Sequence, residues 1–235
     1  MQADETLYRV RPGNHLARKI IRGIGRMLYH NLTRLEIRGL EHVPASGPYL
    51  IVFNHITIFD PPAVMVLWPH APEPLGAQEV WHEPDKKWLA RLYGGIPLDR
   101  DQYDRTAVER VIQTLKSGRM VMMAPEGRLS RQPGMRRARP GVAMIAERAG
   151  VPVVPVGVEG TTADFLQNVI QLRRPRLVLH IGPAFHLPPV QPQPGERWSA
   201  AYQRNADLVM ERIAALLPEQ YRGIYGAAAH ASPQP

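Results

Sequence analysis

Apolar positions along the chain fall into two kinds of stretch, and their alternation predicts the architecture. Short apolar runs that stop abruptly at polar residues read as buried strands: residues 35–40, 49–53, 119–123, 151–156 and 177–181. Between them lie stretches with helical spacing or helix-boundary residues. These are residues 63–68 after Pro61-Pro62, a segment from about 84 to Gly94-Gly95, residues 103–117 closed by Gly118, residues 142–150, and residues 196–217. Residues 69–76 and 128–139 read as loops, and the proline-rich residues 188–195 as a linker. Two prolines interrupt the run at 151–156, so that strand is expected at a sheet edge or lining a cleft. Strands alternating with helices predict an α/β fold, a single domain with a mixed, largely parallel central sheet flanked by helices.

Ahead of this domain, residues 15–35 carry two stripes. Leu16, Ile20, Ile24, Met27, Leu28, Leu32 and Leu35 share one face, while Arg18, Arg22, Arg26, His30 and Arg34 follow at four-residue steps on another. A basic amphipathic helix of this kind suits an anionic membrane interface, its arginines reaching headgroups. It suits equally a surface helix docked on the core with its charged face solvated. Gly23 and Gly25 weaken it in either case. The chain is expected to divide into a basic amphipathic helix that is a candidate for membrane association (1–35), a main α/β domain (36–217) and a C-terminal tail (218–235), disordered over 227–235.

Composition narrows the function. At 235 residues and 44% hydrophobic the chain can bury a substantial core. Lys and Arg number 29 against 21 Asp and Glu, and the net charge of +8 favours an anionic partner. With no cysteine, disulfides, thiolate catalysis and cysteine-held metal are excluded. The polar start MQADETLYRVRPG does not read as a secretory signal and no run of eighteen apolar residues occurs, so a cytosolic or peripheral protein is expected. His82 stands near Glu79 and Glu83 without a second histidine at ligand spacing, and no metal site is expected there.

The chemistry centres on residues 50–61, LIVFNHITIFDP. His55 and Asp60 flank a strand-to-helix turn, where a carboxylate can hold one imidazole nitrogen and leave the other to act as a general base. Asp60 before Pro61 also has the makings of a helix cap and nothing more. A second strand end carries Pro125-Glu126-Gly127-Arg128, and the five arginines of residues 128–139 suit phosphate.

Four segments in order resemble the PlsC-like 1-acylglycerol-3-phosphate acyltransferases, over roughly residues 35–185. His55 and Asp60, four residues between them, match the first block. Gly94 through Arg100 match the second, Pro125-Glu126-Gly127 through Ser130 the third, and residues 151–156 the fourth. The resemblance implies that His55 deprotonates an acceptor hydroxyl, which attacks an acyl thioester of coenzyme A or acyl carrier protein, while Asp60 orients His55. It places Arg100, Glu126, Gly127, Arg128 and Ser130 at the acceptor site, with lysophosphatidate as leading acceptor and phosphatidic acid as product. It implies no cofactor beyond the acyl donor, no metal and no nucleic acid, and a peripheral, monotopic position on the cytoplasmic face of the membrane. In the third block the family has phenylalanine first and threonine then arginine after the glycine; here Ala124 opens it and Arg128-Leu129 follow, which brings the arginine one position early. The rival readings are an acyltransferase for another lysolipid, a hydrolase using the same base on water, and a non-catalytic basic module for nucleic acid or membrane.

Overall fold

The computed structural model describes residues 13–102 and 104–226. What the sequence suggests for residues 1–12, Tyr103 and the tail 227–235 lies outside these. In chain order the elements are α1 (Asn14–Leu32), β1 (Arg34–Arg38), β2 (Leu50–Phe53), α2 (Asp60–Leu67), β3 (Glu73–Ala77), α3 (Lys87–Tyr93), β4 (Ile96–Leu98) and α4 (Arg105–Lys116). There follow β5 (Val121–Met123), α5 (Gly141–Ala149), β6 (Val153–Glu159), α6 (Phe165–Ile170), β7 (Arg176–Ile181), α7 (Trp198–Ala214) and α8 (Glu219–Arg222). The strands among the described residues form one sheet in the order β1-β7-β6-β2-β5-β3-β4. Its neighbours pair in parallel except β6 with β7, which gives the mixed, largely parallel sheet expected.

β2 lies inside the sheet with every residue buried. Leu50 and Val52 face a layer built from α4, α5 and α7, with Val111, Leu115, Val142, Val209 and Ile213; Ile51 and Phe53 face α2 and α6, with Val64, Leu67 and Phe165. Helices cover both faces, which is why the strand sequence shows no polar alternation. α4 is capped by Asp104, whose side chain accepts from the Ala107 N–H at 2.9 Å, and its buried Ala107, Val108, Val111, Ile112 and Leu115 form one stripe.

Two expectations about the strands are overturned. β6 is an interior strand between β2 and β7, not an edge. The two backbone groups of a strand residue point to the same side, and the Pro155 carbonyl accepts from Gly182, one residue past the end of β7. The missing N–H thus falls where the ladder with β7 has already ended. Residues 69–76 are not all loop, because β3 begins at Glu73 and pairs with β5 and β4. Its composition, EPLGA, hides it. Glu73, 2% exposed, anchors it through a two-pronged ion pair with Arg18 at 2.6 and 2.5 Å, and Arg119 joins the same carboxylate. The short α6 was not anticipated either.

α1 docks the opposite way round from a conventional amphipathic helix. Its arginines face the protein: Arg18 reaches Glu73 and the Tyr93 carbonyl, and Arg22 and Arg26 donate to the carbonyls of Met65, Val66 and Trp68 at the end of α2. Those carbonyls lack helical donors, and guanidinium forks satisfy them. Gly25 makes the approach possible, since a Cβ there would stand 2.8 Å from a Val66 methyl. The apolar stripe is left outside, with Leu16, Ile20, Ile24, Met27 and Leu28 all about half exposed or more. α1 is docked on the core, and the expected solvated charged face is overturned: the arginines turn inward and the apolar stripe outward.

The stretch 218–235 begins folded. α8 and the turn after it pack under residues 128–139: the Met135 N–H donates to Tyr221 O at 3.1 Å and the Ala138 N–H to the Tyr225 hydroxyl at 3.3 Å. Met135 and Ala138 are buried, so the arginine loop is pinned to the core from below.

Candidate active site

Parallel pairing puts the carboxyl ends of β2, β5, β6 and β4 at one edge of the sheet. Immediately beyond them come Asn54-His55, Pro125-Glu126, Gly160-Thr161 and Asp99-Arg100, so segments far apart in sequence meet where α/β sheets bind ligands.

Asp60 is fully buried at the first turn of α2, and its carboxylate gathers four donors. Oδ2 accepts from His55 Nδ1 at 3.1 Å, Ile56 N–H at 2.6 Å and Thr57 N–H at 2.8 Å; Oδ1 accepts from the Thr161 hydroxyl. Asp60 therefore does not cap α2. It reaches back to the turn that carries His55 and fixes it. With Nδ1 donating to Asp60, Nε2 of a neutral His55 carries the free lone pair, and the side chain is 15% exposed. Asn54 ties the same turn to β6 by a reciprocal pair of bonds with Val158, at 2.9 and 2.7 Å.

The third block is stitched to the histidine through the main chain. His55 N–H donates to Glu126 Oε1 at 2.8 Å, His55 O accepts from Ser130 N–H at 2.8 Å, and Ile56 O accepts from Arg131 N–H at 3.0 Å. The other oxygen of Glu126 accepts from Arg136 N–H at 2.8 Å. Burial pushes the Glu126 carboxyl up to about 7 against the pull of those two N–H groups, and the Asp60 charge adds to the rise. Gly127 has φ +70°, and a Cβ on it would lie 3.0 Å from Arg139 Nε, so glycine is required.

Other candidates are joined less directly. Arg100 is linked through Arg139, whose backbone N–H donates to Pro125 O and whose Nη1 donates to Arg100 O, both at 2.9 Å. The Arg100 guanidinium itself stands 3.7 Å from Glu79. Arg128 turns outward to Asp101 at 3.2 Å, and the Ser130 hydroxyl closes onto Gln132 O within the loop. Sequence reasoning missed Thr161 altogether and left Arg139 undistinguished among the loop arginines. A hydroxyl residue just past a strand end was the one available signal for Thr161. Among the described residues no cluster of three or more His, Asp or Glu side chains is disposed to hold a metal ion.

The model of the family described as Acyltransferase matches residues 34–159, more than half of the chain. The chain belongs to that acyltransferase family. The chain is 30% identical to the human 1-acyl-sn-glycerol-3-phosphate acyltransferase alpha over 135 residues, 56% of this chain and 47% of the human one. It is 29% identical to the chloroplastic 1-acyl-sn-glycerol-3-phosphate acyltransferase BAT2 of Brassica napus, over 54% of this chain and 38% of that protein. The chain thus spans half or less of the length of these relatives. Its fold is similar to that of the 1-acyl-sn-glycerophosphate acyltransferase PlsC from Thermotoga maritima, with a TM-score of 0.60 at 23% identity, covering 84% of this chain and 80% of that one. The matched region 34–159 includes His55, Asp60, Arg100, Glu126, Gly127, Arg128 and Ser130, and ends two residues before Thr161.

Proposed function

We propose that this acyltransferase moves an acyl group from a thioester of coenzyme A or acyl carrier protein to the free hydroxyl of a lysophospholipid. The leading acceptor is 1-acyl-sn-glycerol-3-phosphate, which would give phosphatidic acid. The observation that carries the reading is the His55–Asp60 pair, held by Thr161 and two backbone N–H groups at the edge where the third block and the Arg100 segment also arrive.

In the proposed step His55 Nε2 takes the hydroxyl proton as the acceptor oxygen attacks the thioester carbonyl. Asp60 stabilises the imidazolium that forms. The C–O bond forms, the C–S bond breaks, and the proton returns from His55 to the leaving sulfur. No cofactor beyond the acyl donor takes part. The acceptor site in this reading is formed by the Arg100 segment and the loop that opens with the Glu126-Gly127 turn and carries Arg128 and Ser130, its guanidinium groups suited to phosphate.

The acceptor is a lipid, and we place the enzyme peripherally on the cytoplasmic membrane surface. No described helix is long and apolar enough to cross a membrane. The support is the outward stripe of α1, together with exposed Trp88 and Leu92 of α3, which packs on α1, and exposed Ile170 of α6.

The test is thiol release from acyl-coenzyme A, and separately from acyl-acyl carrier protein, with lysophosphatidate and a panel of other lysolipids, beside the His55→Ala variant. Release that depends on the acceptor and disappears in the variant is expected. Turnover retained by His55→Ala overturns the mechanism, and fatty acid released without acylated lipid assigns a hydrolase instead.

A further inference from the structure

We infer that Glu126 is a positioning residue that locks His55 and the arginine loop into one unit and does not itself touch the acceptor. This rests on the acyl-transfer reading of the site and assigns one of its residues a different task.

Three observations carry it. Both oxygens of the Glu126 carboxylate are committed, one to the N–H of His55 and one to the N–H of Arg136, each at 2.8 Å. The residue is 5% exposed, so little of it remains for a ligand to reach. The two bonds span the loop: Glu126 stands at its start and Arg136 near its end, with Ser130 and Arg131 between them donating to the carbonyls of His55 and Ile56. Residues 126–136 are therefore closed into a ring whose far side is the backbone of the general base. Met135 and Ala138 fix the lower side of that ring to the C-terminal segment. A phosphate held by guanidinium groups of this loop would present its glycerol hydroxyl to an imidazole carried by the same rigid piece. Positioning of this kind acts on the rate of transfer more than on the hold on substrate.

The charged and titratable groups around Glu126 are Asp60 and His55 from the β2–α2 turn, Arg136 from the loop, and Arg139 beside Gly127. The ionised carboxylate accepts both N–H groups at full strength. A glutamine of the same shape keeps one acceptor and turns an amide NH2 toward the other N–H.

The experiment compares wild type, Glu126→Gln and Glu126→Asp in steady-state assays with lysophosphatidate and with a phosphate-free monoacylglycerol. The expected result is a kcat lowered at least tenfold by Glu126→Gln for both acceptors with KM changed less than threefold, and a smaller loss in Glu126→Asp. A KM for lysophosphatidate raised tenfold at unchanged kcat would make Glu126 an acceptor contact and overturn the inference. Activity per folded molecule equal to wild type would reduce it to a purely structural group. A second readout does not depend on turnover: the backbone amide resonance of Arg136, which donates to the other Glu126 oxygen and whose own side chain does not titrate near neutral pH, followed by NMR, should titrate with a midpoint near 7 in wild type and lose that transition in Glu126→Gln. An amide that titrates identically in both overturns the inference even if no acyl transfer is found. A titration lost in Glu126→Gln alongside an inactive wild type sinks only the acyl-transfer reading.

Discussion

The Thr161 hydroxyl donates to Asp60 from 101 residues further along the chain, and with that bond the second oxygen of the buried carboxylate is occupied. Thr161 is itself fully buried. Replacing it by valine keeps the shape and removes the donor. We expect a loss of about 1–3 kcal/mol in stability, because a buried charged acceptor is left short of a partner. We also expect kcat about tenfold lower, with Thr161→Ser close to wild type. Urea denaturation beside the thiol-release assay checks both, and a fully active valine variant would remove Thr161 from the site.

Asp60→Asn separates charge from geometry. One amide oxygen in the place of Oδ2 can keep the Ile56 and Thr57 N–H bonds, and the Thr161 hydroxyl can rotate to accept from the new NH2. The variant should fold close to wild type while kcat falls by roughly 10²–10⁴, the usual worth of a general base whose imidazolium has lost support. An unfolded variant would show that the carboxylate serves the fold first.

Arg18 anchors α1 inside the protein, 5% exposed and paired with Glu73. Arg18→Ala strands part of a buried carboxylate that Arg119 alone then holds. The expected cost is about 3–5 kcal/mol, read from the urea midpoint. Early cleavage within residues 14–32 on limited proteolysis should accompany it, because the inward stripe of α1 loses its firmest contact.

Ile20 and Ile24 are 52% and 51% exposed on the outward stripe. Ile20→Asp with Ile24→Asp should leave the urea midpoint within about 0.5 kcal/mol per substitution. If the stripe meets lipid, each isoleucine contributes about 1.5–3 kcal/mol of burial, and co-sedimentation with anionic vesicles should fall more than tenfold per residue. Unchanged vesicle binding would assign this face to something other than membrane.

Burial raises the Glu126 carboxyl from its ordinary 4.5 to about 7. Between those values the folded protein holds a proton that the unfolded chain has released. This group's contribution to stability is therefore fully present below about pH 4.5 and is lost as pH rises through about 7. The urea midpoint of wild type, compared with Glu126→Gln from pH 5 to 8, should show that fall in wild type alone.

The local pattern was legible where a segment declares itself in its own residues. The run ending at Asn54-His55, the helical spacing of Val108, Val111, Ile112 and Leu115 and the glycine of the Glu126-Gly127 turn each constrain the backbone directly. β3 and β6 were misread because proline and glycine were weighed by local propensity. Neighbours decided both cases, with Arg18 and Arg119 holding Glu73 and the end of β7 sparing Pro155 its missing bond. Of the two readings of Asp60, partner of His55 or helix cap before Pro61, the structure has the first: its carboxylate turns back to the histidine turn.

The sequence by itself determined that strands and helices alternate, that His55 and Asp60 flank one strand-to-helix turn, and that α1 has two unlike faces. These follow from spacing along a chain of fixed period. Only the tertiary structure decided which face of α1 docks, because the carbonyls at the end of α2 needed donors and took the arginines. It alone brought Thr161 to Asp60 and Glu126 to the His55 N–H, since those bonds exist only once β5 and β6 lie beside β2 in parallel.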